Sequence, residues 1–141
     1  MSVLTTKTNL HETLRAAGPY PLEAYLFVEA GLSWTVDRMQ QPDSLDGLGG
    51  FDRHLTGQEL CMGLRDMAIS RFGLLAPTVL KVWNIHRTED FGTIVFNLVD
   101  VGILRREADD HVEDFHGVYD FREAFDPRDL ATHIGSAQQG N

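Results

Sequence analysis

The stretch "RTEDFGTIVFNLVDVGILRR", residues 87–106, decides the predicted fold because a strong amphipathic helix pattern in it is followed at once by a β-like run. One face of the predicted helix is apolar and consists of Phe91, Ile94, Val95 and Leu98. Thr88 is a suitable N-cap, and Gly102 ends the pattern. The short β-like run "ILRR" follows at once. A helix that passes directly into a strand is typical of the third helix and first wing strand of a winged helix-turn-helix.

Four further helices are predicted ahead of this stretch. A short helix covers residues 9–17, and a second runs through "YPLEAYLFVEAGLSWTVDRM", residues 20–39, where Gly31 favours a local bend. Thr56 and Glu59 have the spacing of a capping box, which predicts a helix from there to Phe72. A shorter helix is expected from residue 77 to about residue 84.

The period of the apolar residues changes after Gly102. In "FHGVYDF", residues 115–121, aromatic residues and a glycine alternate along one side, which predicts a β-hairpin. Phe96 and Val99 on the preceding helix are expected to pack mainly under this hairpin. A last helical turn is expected after Asp126.

The predicted fold is therefore mainly α (α+β) and forms a single domain over residues 1–141. N-terminal helices occupy residues 1–40 and a loop residues 41–55. A winged-helix-like three-helix unit with a C-terminal β-hairpin occupies residues 56–125, and residues 131–141 are a flexible tail.

The polar face of the helix in residues 87–106 argues against DNA reading. It is a stripe made of Asp90, Thr93, Asn97 and Asp100. Recognition helices present Arg, Lys, Asn or Gln to base edges, and only Asn97 meets that requirement. From Arg105 to Asp126 there are three arginines and eight carboxylates, and carboxylates repel phosphates. Nucleic acid is therefore an unfavoured partner.

Composition points in the same direction. The net charge of −9 is unsuited to a polyanionic partner. The lone cysteine, Cys61, excludes a disulfide framework, and no apolar run is long enough to span a bilayer. Because the first residues also lack the pattern of a secretory signal, we expect a cytoplasmic protein.

The run "DDHVEDFH", residues 109–116, is the densest group of ionisable side chains. Asp110, His111, Asp114 and His116 offer oxygen and nitrogen ligands for a divalent cation or zinc. Their spacing matches no known metal-binding motif, so a solvated acidic turn is the simpler interpretation. No cofactor motif is present, and no nucleophile is paired with a base.

Several long segments resemble an uncharacterised bacterial family found mainly in planctomycete and verrucomicrobial lineages. They are "YPLEAYLFVEAGLSWTV", "RHLTGQELCMGLRDMAISRFG", "VLKVWNIHRTEDFGTIVFNLVDVGILRREADDHVEDF" and "YDFREAF". The resemblance extends from about Tyr20 to Phe125, with "TGQEL", "TEDFG" and the acidic "DDHVEDF" as its typical segments. It implies a lineage-specific cytoplasmic protein and no catalytic residue.

Three functional hypotheses follow from these patterns. The first is a non-enzymatic protein–protein interaction module with an acidic winged-helix-like surface and a basic protein among its candidate partners. Its surface consists of Asp90, Thr93, Asn97, Asp100, Asp109, Asp110 and Asp114. The second is a metal-dependent enzyme or metal sensor that uses residues 110–116. The third is a DNA-binding regulator. Each of the three hypotheses is compatible with a homo-oligomer.

Overall fold

The computed structural model describes residues 12–14, 16–39, 55–108 and 110–130. Within these ranges the chain is mainly helical and contains no strand. The α-helices are α1 (Leu22–Met39), α2 (Gly57–Phe72), α3 (Ala76–Val82), α4 (Thr88–Asp100) and α5 (Phe121–Ala124). Two 3₁₀ helices cover Gly73–Leu75 and Val112–Phe115. Residues 12–14, 16–17 and 127–130 are also helical.

Two predicted segments lie wholly or almost wholly outside the described residues. They are the loop at residues 41–55, of which only Leu55 is described, and the tail at residues 131–141. Within the described ranges, no helix is long and apolar enough to cross a membrane.

The capping box predicted for α2 is confirmed. Thr56 Oγ1 accepts a hydrogen bond from the Glu59 backbone N–H at 3.1 Å, and Glu59 Oε1 accepts one from the Thr56 N–H at 3.0 Å. These two bonds satisfy donors that the helix itself leaves unpaired. The helix ends at Phe72, followed by Gly73 with its φ of 56°, a value that glycine adopts without strain. The predicted bounds of α2 are therefore correct.

Helices α1 and α2 approach each other through glycines. Gly31 lies within the uninterrupted helix α1, and a Cβ added there would overlap the Leu64 side chain. A Cβ added at Gly63 of α2 would overlap the side chain of Thr35. Thr35 is buried, and its hydroxyl donates to the Gly31 carbonyl at 2.7 Å, which holds the side chain in place. Gly31 therefore serves close helix packing.

The Gly63→Ala substitution tests this contact. Helix propensity alone predicts stabilisation by about 1 kcal/mol. We expect the opposite sign, a loss of about 1–3 kcal/mol in the free energy of unfolding, because the added methyl group overpacks the contact with Thr35. Urea denaturation followed by circular dichroism measures the change. Ser70→Ala, at an exposed position of α2, is the control and should change little. A Gly63→Ala variant more stable than the parent would contradict the predicted close packing.

The predicted C-terminal β-hairpin, and with it the winged-helix-like unit, is wrong. Residues 112–115 form a 3₁₀ helix and residues 121–124 form α5. The backbone hydrogen bonds of this region are local, as in the bond from the His116 N–H to the Glu113 carbonyl. Asp120 caps α5 by accepting from the Arg122 N–H at 2.7 Å, so a helix begins where the second strand was expected.

The alternating aromatic residues of this region build a cluster instead of a strand face. Phe121 lies 5.4 Å from Phe125 and 6.0 Å from Phe91 of α4, measured between ring centroids. Tyr119 contacts the same group at 5.8 Å from Phe121. Because Phe121 and Phe125 are four residues apart, helical spacing brings them to one side. The last turn predicted after Asp126 is confirmed and buries Leu130.

Candidate interaction cleft

Helix α4 contacts α1, α2 and the 3₁₀ helix Val112–Phe115. Three of its four predicted core residues, Phe91, Ile94 and Leu98, are fully buried, whereas the fourth, Val95, is half-buried. The face assigned from the sequence is therefore confirmed except at Val95. Its predicted polar stripe is divided. Thr93 and Asp100 are exposed, whereas Asp90 and Asn97 are half-buried against the N-terminal part of the chain. Helical periodicity located the stripe, but it did not reveal that another segment covers part of it.

Asp90 joins three elements through its carboxylate. Oδ1 accepts a hydrogen bond from the Tyr20 hydroxyl at 2.7 Å. Oδ2 accepts from the backbone N–H groups of His86 at 2.8 Å and Arg87 at 3.2 Å, just before α4. The side chain therefore caps the helix, a role for which Thr88 was expected. On the same face, the Asn97 side-chain amide donates to the Tyr25 hydroxyl at 3.0 Å.

Replacing Asp90 by alanine is expected to lower the free energy of unfolding by about 1–3 kcal/mol, because it removes the acceptor of the buried Tyr20 hydroxyl and of two backbone N–H groups that precede α4. Asp100→Ala is the matched control. The Asp100 carboxylate is exposed in the last turn of α4, where a negative charge interacts unfavourably with the helix dipole, so its removal should not lower the free energy of unfolding. Chemical denaturation of both variants measures the difference. Equal stabilities would show that the Asp90 hydrogen bonds contribute nothing net.

All three tyrosines of the chain resist ionisation. Burial is the largest cause in each case and raises the pKa of Tyr20, Tyr25 and Tyr119 above the ordinary value. For Tyr20, the hydrogen bond to Asp90 and the negative charge of that carboxylate raise the pKa further. The Tyr119 hydroxyl donates to the Cys61 carbonyl at 2.8 Å. The folded protein therefore favours the neutral form of these three tyrosine side chains.

This arrangement predicts loss of stability at alkaline pH. An unfolded tyrosine ionises near pH 10, about the ordinary value. Because the folded pKa values are higher, the stabilisation is complete below pH 10 and is lost as the pH rises toward them. We expect absorbance at 295 nm to show little tyrosinate until the protein unfolds. The same titration in denaturant is the control. Tyrosinate forming in folded protein near pH 10 would rule out the predicted burial effect.

A cleft of about 560 Å³ opens between α1, α2, α4 and residues 104–115. Its floor is apolar and consists of Leu32, Val36, Leu55, Leu60, Val95, Phe96, Val99, Leu104 and Phe115. Its rim is charged or polar and consists of Arg105, Glu107, Asp110, His111 and Asp114, beside Thr56 and Gly57. We call this floor and rim together the cleft. The combination suits a partly apolar ligand.

The acidic part of the rim is held in shape by local hydrogen bonds. Asp110 Oδ2 accepts from the Glu107 backbone N–H at 2.7 Å, and Asp114 Oδ2 accepts from the His111 N–H at 3.3 Å. Asp114 also lies close to α2, since a Cβ added at Gly57 would come within 2.8 Å of its Cβ. Asparagine retains the acceptor oxygen, so the charge is removable without losing these bonds.

Arg106 contacts one residue of the floor and one of the rim. The Arg106 guanidinium lies over the ring of Phe96, 5.6 Å from its centroid, and donates to the Asp110 carbonyl at 3.2 Å. Phe96 in turn packs edge-on against Phe115, with the ring centroids 6.3 Å apart. Phe96 and Val99 were expected under the hairpin, but both line the cleft.

The proposed metal ligands do not form a site in the described part of the chain. Asp110, His111 and Asp114 line the cleft, but His116 does not, and Asp109 lies outside the described residues. No group of three or more His, Cys, Asp or Glu side chains in the described ranges is arranged to hold a metal ion.

Cys61 is placed for packing. It is fully buried, and burial, with a smaller contribution from Glu89, raises the pKa of its thiol to about 12. A neutral thiol is a poor nucleophile. Trp83 packs with Phe27 and Phe72 at centroid distances of 5.3 and 5.8 Å and so belongs to an aromatic cluster. Trp34 is half-buried beneath the Arg38 guanidinium.

The residues of the cleft floor that lie outside α4 are not identifiable from the sequence. Leu32 and Val36 belong to an apolar helix stripe, and Leu60 has the pattern of a core residue of α2. No local pattern distinguishes a buried apolar residue from one that lines a cleft. The one available signal is on α4, whose apolar residues extend past the core face to Phe96 and Val99.

Comparison with models of known protein families, with curated proteins and with solved structures finds no match for this chain. The resemblance to a planctomycete and verrucomicrobial family accordingly stays a prediction, and the chemistry of the cleft is the basis for assigning a function.

Proposed function

We propose that this protein is a non-enzymatic interaction module whose cleft binds an apolar side chain in a basic segment of a partner protein. One observation carries the proposal: the same cleft has an apolar floor and a rim on which the three carboxylates of Glu107, Asp110 and Asp114 outnumber the one arginine, Arg105. The proposal keeps Asp110 and Asp114 from the surface expected from the sequence and adds Glu107 together with the apolar floor.

Floor and rim would contribute differently to binding. Burying one leucine-sized side chain from a partner against the floor contributes about 1.5–3 kcal/mol. The rim carboxylates of Glu107, Asp110 and Asp114 would attract basic residues and disfavour acidic proteins. Their effect is expected to weaken as salt rises, because the rim is open to solvent.

Placement of the reactive groups supports a binding role over catalysis. The described residues that line the cleft include no cysteine or serine, and the hydroxyl of Thr56 is occupied in the capping box of α2. Cys61 is buried away from the cleft as a neutral thiol. The carboxylates of Asp110 and Asp114 accept hydrogen bonds from backbone N–H groups of their own loop.

The test is a purification of the full-length protein from its native host at low salt, with and without nuclease, analysed by mass spectrometry. We compare the parent with the triple variant Glu107→Gln, Asp110→Asn, Asp114→Asn, which removes three charges and retains the acceptor oxygens. We expect a protein partner that survives nuclease, and at least tenfold less of it with the triple variant.

The matched control is Asp37→Asn, Asp100→Asn, Glu123→Gln. It removes the same number of charges from exposed positions that do not line the cleft. Binding should be nearly unchanged in this variant if the cleft is responsible. If both variants lose the partner equally, binding depends on the net charge of the protein and not on the cleft. If both variants retain the partner, the charges of the cleft rim are not needed for binding. Release of all bound material by nuclease would favour the DNA-binding alternative.

A further inference from the structure

A second surface of the molecule has the chemistry that the cleft requires. Leu74 and Leu75, in the 3₁₀ helix that follows α2, are 54% and 64% exposed, and Val82 at the end of α3 is 74% exposed. These are the three most exposed large apolar side chains in the described part of the chain. Apolar side chains exposed this close together mark a contact surface more often than scattered ones do.

Helix α3, together with Leu75 directly before it, presents two of these side chains on one side. Ala76 and Leu80 are fully buried and attach the helix to the core. Leu75 and Val82 are seven residues apart, which is two helical turns, so they lie on a common face. Val79, between them on the same face, is half-buried. The exposed apolar residues therefore form a short continuous strip.

The chain segment that carries this strip has a positive charge. No carboxylate occurs between Asp66 and Glu89, in a chain whose net charge is −9. Arg71, in the last turn of α2, and Lys81, in the last turn of α3, are both exposed. We call Arg71, Leu74, Leu75, Lys81 and Val82 the basic edge. Its apolar and basic character is complementary to the apolar floor and acidic rim of the cleft.

The cleft and the basic edge lie at opposite ends of α2. Gly57, the first residue of that helix, lines the cleft, and Phe72, its last residue, is followed by the 3₁₀ helix that carries Leu74 and Leu75. At 1.5 Å per residue, the helix separates its two ends by roughly 22 Å. The basic edge is therefore out of reach of the cleft in its own chain, but not of the cleft in another copy.

We infer that the cleft of one copy binds the basic edge of a second copy, so that the protein associates head to tail. The inference rests on the proposed function of the cleft and names its occupant. The two contacting surfaces are different, so each copy in a pair keeps one free cleft and one free basic edge. Such a heterologous contact continues into a ring or a filament instead of ending at a dimer.

Sedimentation velocity of the untagged full chain at low salt, over a hundredfold range of concentration, tests the inference. The parent should form species larger than a dimer as concentration rises, and high salt should reverse this. The edge variant Leu75→Ser, Val82→Ser changes only exposed residues, and the cleft variant is Glu107→Gln, Asp110→Asn, Asp114→Asn. Each alone should weaken association at least tenfold. Leu26→Ser, Met62→Ser, two exposed apolar residues elsewhere, should not.

Mixing the edge variant with the cleft variant is the decisive measurement. The edge variant keeps an intact cleft, and the cleft variant keeps an intact basic edge. The two proteins should therefore form a dimer of one copy each that cannot grow further. A parent that stays monomeric throughout would overturn the inference. So would a cleft variant that associates as well as the parent, because the edge would then bind another edge. Monomeric parent that binds vesicles of anionic lipid through Leu75 and Val82 would also overturn it.

The purification from the native host distinguishes failure of this inference from failure of the proposed function. A monomeric parent whose cleft still captures a different basic protein, lost in the cleft variant and retained in the charge-matched control, overturns the self-association alone. A monomeric parent with no cleft-dependent partner overturns both.

Discussion

The buried hydroxyl of Thr88 is the interaction on which the arrangement of the C-terminal part depends. It donates to the Phe115 carbonyl at 2.7 Å and accepts from the Val118 N–H at 3.2 Å, and Thr88 is fully buried. A threonine at the first residue of α4 thus satisfies two backbone groups of a segment almost thirty positions away. Buried polar groups without such partners are costly, so this pair of bonds strongly favours one docked position.

Close packing completes the docking. A Cβ at Gly92 would lie within 2.9 Å of the Phe115 Cβ, so glycine lets the 3₁₀ helix rest directly on α4. Phe115 then becomes part of the cleft floor, and Asp114, its neighbour, part of the rim. One hydroxyl and one missing side chain on α4 therefore determine where the acidic residues stand relative to the apolar ones, and with that the chemistry of the cleft.

Local sequence signals were sufficient wherever neighbouring residues supply the stabilisation. The capping residues Thr56 and Glu59 contact each other, and the core face of α4 follows from helical period alone. The predicted hairpin was wrong because alternating aromatic residues are ambiguous. Their alternation suited a strand, but Asp120 at a cap position and the four-residue spacing of Phe121 and Phe125 suited a helix. Of these local signals, the cap was the decisive one.

The sequence by itself determined the positions of the main helices, the capping box of α2, most of the buried face of α4 and the negative charge of the chain. These properties depend on residues within one or two helical turns of each other. Only the tertiary structure decided that Tyr20 and Tyr25 cover part of the polar stripe of α4. It also decided that floor residues from α1, α2 and α4 meet under an acidic rim. Such contacts join distant segments, and no local period or spacing encodes which exposed-looking side chains another segment will cover.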